Sequence, residues 1–199
     1  MKVITLVDEK FSQSCLLLSK KINQTYNPDL VIGILTGGGY VGRKIFNYLN
    51  DNKQKKYTEI KIQRKKNTAP KSKGLFKIIL NYSPTFLLNW MRILESLYLE
   101  KKAQKNNPKR IGTITISDEI DIFLKESPKK ILIVDDAIDS GATLNLLKEY
   151  LNMHYNNISI KIAVITVTTP HPIIDADFYL YHNRVLVRFP WSNDVKKKK

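Results

Sequence analysis

The stretch Ile131-Leu132-Ile133-Val134-Asp135-Asp136-Ala137-Ile138-Asp139-Ser140-Gly141-Ala142-Thr143-Leu144 decides how this chain is read. Four apolar residues in a row suit a strand buried on both faces of a parallel sheet. Two adjacent carboxylates, Asp135 and Asp136, then stand at its carboxyl end, where open α/β sheets bind ligands. The small-residue turn Asp139 to Thr143 feeds directly into a helix expected over Thr143 to His154. Such a turn exposes backbone N–H groups at the positive end of a helix dipole, which favours an anion such as phosphate. Ser140 and Thr143 add hydroxyl donors. Adjacent carboxylates repel each other, so turn capping alone leaves their pairing unexplained. They make chemical sense if they accept hydrogen bonds from a diol or hold a divalent cation.

Upstream, Lys2 to Val7 reads as a short strand, and Phe11, Cys15, Leu18 and Ile22 recur at helical spacing. Asn27-Pro28 ends that helix. Asp29 to Leu35 is a second continuous apolar run, closed by Thr36-Gly37-Gly38-Gly39, and Val41, Ile45, Phe46 and Leu49 then form a helical stripe. With a strand over Thr58 to Gln63, this is a βαβ unit, and it predicts an α/β fold with a mostly parallel central sheet flanked by helices. Downstream, Ile158 to Thr168 is β-rich, and Phe178 to Tyr181 and Val185 to Phe189 read as closing strands or extended segments.

Residues 64–110 break this rhythm. Arg64 to Lys73 reads as a basic mobile loop, and Phe86 to Leu99 as a helix with Phe86, Leu87, Trp90, Met91, Leu94, Leu97 and Tyr98 on one broad face. Asn89, Arg92 and Glu95 interrupt that face, so it is no uninterrupted membrane span. A second lobe or dimer interface accounts for it more simply than contact with a membrane surface. The expected organisation is a core of residues 1–63 and 111–199, with 64–110 as a loop plus helical insertion.

Among the 199 residues, 33 Lys plus Arg stand against 18 Asp plus Glu, a net charge of +15. With 43% hydrophobic residues the composition is globular. The lone Cys15 excludes a disulfide framework, and His154, His171 and His182 are too scattered for a metal-ligand pattern. The first residues lack the apolar core of a signal peptide, so a cytoplasmic location is expected. The charge fits a nucleic acid, an anionic lipid, a polyphosphate or merely a lysine-rich surface.

Ile131 to Thr143 resembles the phosphoribosyl-pyrophosphate (PRPP) binding motif of the type I phosphoribosyltransferases, nearest to the bacterial purine enzymes of xanthine–guanine and hypoxanthine type. The resemblance implies that Asp135 and Asp136 hold the ribose hydroxyls and help organise Mg2+. It implies that Asp139, Ser140, Gly141, Ala142 and Thr143 form the 5′-phosphate loop, and that Asp139 lies beside the base as general base. Thr36, Gly37 and Gly38 match the pyrophosphate loop. Arg64 and Lys65 match the start of the mobile loop that closes over the site, and nine basic residues between Asp51 and Lys73 fall in that region. Phe189 and Trp191, in Phe189-Pro190-Trp191, resemble the base hood, although packing of the last strand accounts for them equally well.

The sequence departs from the family at three points. Thr36 stands where many members carry Lys or Arg, a cation that Arg43, Arg64 or Lys65 would have to replace. Thr168-Thr169-Pro170 lacks the usual base-reading Lys, and the stacking aromatic expected before Pro190 falls near the aliphatic Leu186. The implied activity is Mg2+-dependent transfer of phosphoribose from PRPP to a nucleobase by a homodimer. The alternative is a PRPP sensor of the same fold that binds RNA or DNA.

Overall fold

A computed structural model describes residues 2–50, 55–64, 89–90, 93–94, 112–126, 129–182, 184–192 and 195. In chain order the elements are β1 (Lys2–Thr5), α1 (Asp8–Thr25), β2 (Leu30–Ile34), α2 (Gly37–Tyr48), β3 (Lys56–Ile60), β4 (Gln63–Arg64) and β5 (Gly112–Thr113). They continue with α3 (Asp118–Lys125), β6 (Lys129–Ile138), α4 (Ala142–His154), β7 (Ile158–Val167), β8 (Phe178–Tyr181) and β9 (Val185–Arg188).

Five strands form a parallel sheet in the order β3-β2-β6-β7-β8. The alternation of strand residues divides the core in two. Val31, Leu132, Val134, Ala163 and Ile165 join Phe11, Cys15, Leu18 and Ile22 of α1 and Val41 and Ile45 of α2. Leu30, Ile32, Ile131, Ile133, Ile162 and Val164 join Ile120, Phe123 and Leu124 of α3 and Leu144, Leu147 and Leu151 of α4. Both faces are thereby covered, which is why β2 and β6 read as continuous apolar runs. The fold is the α/β arrangement expected.

From β2 the chain moves through α2 to β3 on one side, whereas β6, β7 and β8 step away on the other. The direction reverses between β2 and β6, and the carboxyl ends of strands at such a reversal form a crevice. β2 pairs with β6 only as far as Gly33↔Val134, while β6 runs on along β7 to Ile138↔Val167. Asp135 and Asp136 therefore lie within a ten-residue strand, just beyond the last residue of it that pairs with β2.

Two features differ from the sequence reading. β9 does not join the central sheet; it pairs in parallel with β1, from Lys2↔Val185 to Thr5↔Arg188, as a separate two-stranded sheet. The expected strand over Thr58 to Gln63 divides into β3 and β4, and β4 pairs antiparallel with β5. Asn89, Trp90, Ile93 and Leu94 are helical. The rest of the expected 86–99 helix and the loop over 65–73 lie outside the described residues. No helix among the described residues is long and apolar enough to cross a membrane.

Candidate active site

Three chain segments meet at the crevice between β2 and β6. The first is the start of α2. Thr36 is its exposed N-cap, and Gly37 opens the helix. A Cβ on Gly37 would overlap the carboxylate of Asp136, and one on Gly38 would lie 2.6 Å from the Val134 carbonyl oxygen and 2.7 Å from the Asp135 Cα. The missing side chains let the N-terminus of α2, with its unpaired N–H groups, press against the acids. Tyr57 braces this turn: its hydroxyl sits 2.8 Å from the Gly39 carbonyl and 2.9 Å from Glu59 Oε1. Arg43 is held 2.7 Å from the same Glu59 oxygen.

The second segment carries Asp135 and Asp136. The Asp136 N–H donates to Asp135 Oδ1 at 2.9 Å, and the Trp191 indole Nε1–H donates to Asp136 Oδ2 at 3.2 Å. Burial, reinforced by the Asp136 charge, holds the Asp135 carboxyl well above the usual carboxylate range. Burial also raises Asp136, with the charge of Asp139 adding to it. A cation or the hydroxyls of a diol would relieve both. Among the described residues no three His, Cys, Asp or Glu side chains converge as a metal cage. That donor set fits Mg2+, which takes one or two carboxylates and completes its octahedron with substrate oxygens and water.

The third segment is the loop from β6 into α4. Gly141 caps the helix at φ +77, a left-handed conformation that favours glycine. Ser140 is tied down through its carbonyl, which accepts the Ile173 N–H at 2.9 Å. Ala142 and Thr143 are buried at the helix start, where the Ala142 N–H donates to Ser140 Oγ at 3.4 Å. Asp139 is exposed, and the Thr168 hydroxyl donates to its Oδ1 at 2.8 Å.

The structure thus brings Gly37 and Gly38 against Asp135 and Asp136, with the Asp139 to Thr143 loop next in the chain. Phe189 is only 5% exposed and belongs to the core. Trp191 is half-buried, with its ring stacked on Phe189 and Tyr40, both at 4.9 Å, and edge-on to Phe11 at 5.4 Å. Trp191 is thus already stacked by two of the protein's own rings. Arg64 lies in β4, and Lys65 is outside the described residues. The sequence reading missed Tyr40, which belongs to no helical stripe, and missed Thr168 as the partner of Asp139.

A shallow cleft of about 440 Å3 opens at the other end of the sheet, lined by Lys55, Lys56, Glu119, Ile122, Phe123 and Lys129 among others. Lys56 pairs with Glu119 at 2.7 Å, Lys129 Nζ lies 4.1 Å above the Phe123 ring, and Lys55 binds the Phe46 and Leu49 carbonyls. Its lysines are engaged, and it lies away from the strand ends that carry the acids.

The model of the phosphoribosyl transferase domain matches residues 6–194. A purine phosphoribosyltransferase from Pyrococcus horikoshii Ot3 has a similar structure, with a TM-score of 0.62, 20% identity and full coverage of both chains. A Helicobacter pylori xanthine-guanine-hypoxanthine phosphoribosyltransferase is similar at a TM-score of 0.55 and 16% identity, covering 96% of this chain and 93% of that one. A Neisseria gonorrhoeae protein with bound ppGpp is similar at 0.58 and 15%, covering 96% and 89%. No curated protein matches in sequence.

Proposed function

Because this chain belongs to the phosphoribosyl transferase domain family, we propose that it transfers the 5-phosphoribosyl group of PRPP to a nitrogenous base of purine type, releasing pyrophosphate. The observation that carries this reading is the meeting of a glycine-started helix, an acid pair and a second helix N-terminus at one sheet reversal. One such terminus suits the pyrophosphate and the other the 5′-phosphate, and the acids between them suit the ribose diol. The purine assignment rests on the sequence resemblance and on the two purine-using structural neighbours.

In the proposed reaction the bond from the anomeric carbon to pyrophosphate breaks as a bond from the base nitrogen forms, through an oxocarbenium-like transition state. Asp135 and Asp136 accept the ribose hydroxyls and fix the ring. The N–H groups of Gly37, Gly38 and Gly39 face the leaving pyrophosphate, and those of the Asp139 to Thr143 loop hold the 5′-phosphate. Asp139, with one oxygen held by Thr168, accepts the proton of the attacking base on the other. Mg2+, held by Asp135 and Asp136 together with PRPP oxygens, would neutralise charge on the leaving pyrophosphate.

The test is to incubate the protein with PRPP, Mg2+ and a panel of bases and to measure pyrophosphate release. Turnover with a purine, reduced about 100-fold or more in Asp139→Asn with PRPP binding retained, is the expected result. PRPP binding without turnover on any base would replace transfer by sensing. Absence of PRPP binding would overturn both.

A further inference from the structure

The last described segment of the chain reaches the acid pair. β9 is fixed on β1, and the Leu6 N–H continues the pairing by donating to the Arg188 carbonyl at 2.9 Å. A tight turn follows. The Ser192 N–H donates to the Phe189 carbonyl at 2.9 Å, and the Phe189 N–H donates to Ser192 Oγ at 3.0 Å. This turn presents Trp191 edge-first toward Asp136, with Phe11, Tyr40 and Phe189 packed on its ring. Asp136 Oδ2 is consequently enclosed between the Cα of Gly37 and the indole Nε1–H, which donates to it at 3.2 Å.

We propose that Trp191 is a positioning residue for PRPP binding: its indole N–H orients Asp136 toward the ribose, and its ring does not stack on the base. The inference rests on the phosphoribosyl transfer reading above. Two rings already stack on the indole and a third meets it edge-on, so a nucleobase would compete with the protein's own aromatics for it. Its single polar atom is spent on a carboxylate whose other contacts, with the Asp135 side chain and the Ala137 backbone, come from its own strand. A freely rotating carboxylate would have to be ordered at the moment of binding, whereas one held by an N–H donor is already oriented.

Trp191→Phe keeps an aromatic ring and removes only the donor. PRPP affinity, measured by calorimetry with Mg2+ present, should fall about ten-fold, the scale of a lost hydrogen bond to a charged group. KM for PRPP should rise while KM for the base stays unchanged. In an Asp136→Ala background, where the acceptor is gone, the same substitution should cause no further loss. An unchanged PRPP affinity, a change confined to KM for the base, or an equal loss in the Asp136→Ala background would each overturn the inference and leave the transfer reading standing. Failure of the unmodified protein to bind PRPP would overturn the reading and the inference with it.

A second measurement needs no change at position 191. Trp90→Phe leaves Trp191 as the sole tryptophan of two. Its emission should shift saturably with PRPP and Mg2+, and an emission constant through calorimetric saturation overturns the proposal.

Discussion

Gly37 and Gly38 are neighbours in sequence, yet adding one methyl group to each should have opposite consequences. At Gly38 the new Cβ would stand 2.6 Å from the Val134 carbonyl oxygen and 2.7 Å from the Asp135 Cα. Both are backbone atoms of β6, a central strand held by β2 and β7. Neither can move without disturbing the sheet, so the overpacking cost lies at the upper end of about 1–3 kcal/mol. Alanine's better helix propensity returns about 1 kcal/mol, for a net loss of about 2 kcal/mol. At a urea dependence of about 2 kcal/mol per molar, the unfolding midpoint falls by about 1 M.

At Gly37 the obstacle is the end of the Asp136 side chain, which can swing aside. Gly37→Ala should therefore stay within about 1 kcal/mol of the parent in stability. The displaced carboxylate is the one assigned to the ribose, so PRPP binding should weaken more than ten-fold in a protein that remains folded. Urea unfolding followed by circular dichroism, with calorimetric PRPP titration, measures both quantities. Equal midpoints for the two variants, or a lower midpoint for Gly37→Ala, would refute the packing argument. Unimpaired PRPP binding in Gly37→Ala would refute the role given to Asp136.

Other perturbations follow from the same geometry. Gly141→Ala forces a side chain into a left-handed conformation and sets its Cβ 2.8 Å from Ile174 Cγ2; thermal unfolding should show a loss of at least about 1–2 kcal/mol. Asp135→Asn removes a charge that burial disfavours, so at neutral pH and without ligand it should raise the melting temperature while abolishing PRPP binding; a lower melting temperature would count against the strain assigned to the acid pair. Lys125 and then the Tyr155 hydroxyl hold the Asp121 carboxyl below its usual range. The lowered value means that its ionised form adds stability above the unfolded pKa, which is lost as pH falls through the folded one. Tyr155→Phe should therefore make stability decline less steeply on acidification toward pH ~2, and an identical slope in acid-unfolding curves would contradict this.

The parts of the fold legible in sequence are those governed by local periodicity and burial. Phe11, Cys15, Leu18 and Ile22 announced α1 because a helix buries one stripe, and all four are buried. The continuous runs in β2 and β6 announced a sheet covered on both faces, and it is. The two-turn helix α3 was not read, since Ile120, Phe123 and Leu124 make barely one repeat of a stripe. That β6 lies beside β2 was not legible, because Leu30 pairs with Ile131 across 101 positions, for which no local pattern exists.

The site divides in the same way. Asp135 to Thr143 could be read because it is contiguous and its residue types follow one another in a chemically sensible order. Trp191 stood out as a residue, but its partner Asp136 is 55 positions away, and sequence alone could not separate packing from base contact. Thr168 read only as the absence of a lysine. Its hydrogen bond to Asp139 arises because β7 continues alongside β6 to the very end of the strand.

The pairing of β1 with β9 sets a timetable. Thr5 and Arg188 meet across 183 positions of chain, among the most costly loops this protein can close. A nascent chain extended to Tyr181 already carries every strand of the central sheet. It still lacks the partner of β1, the turn beyond it and the indole that grips Asp136. Folding of the central sheet can thus run ahead of completion of the site, and a chain interrupted after β8 would carry both acids but lack the indole that contacts Asp136.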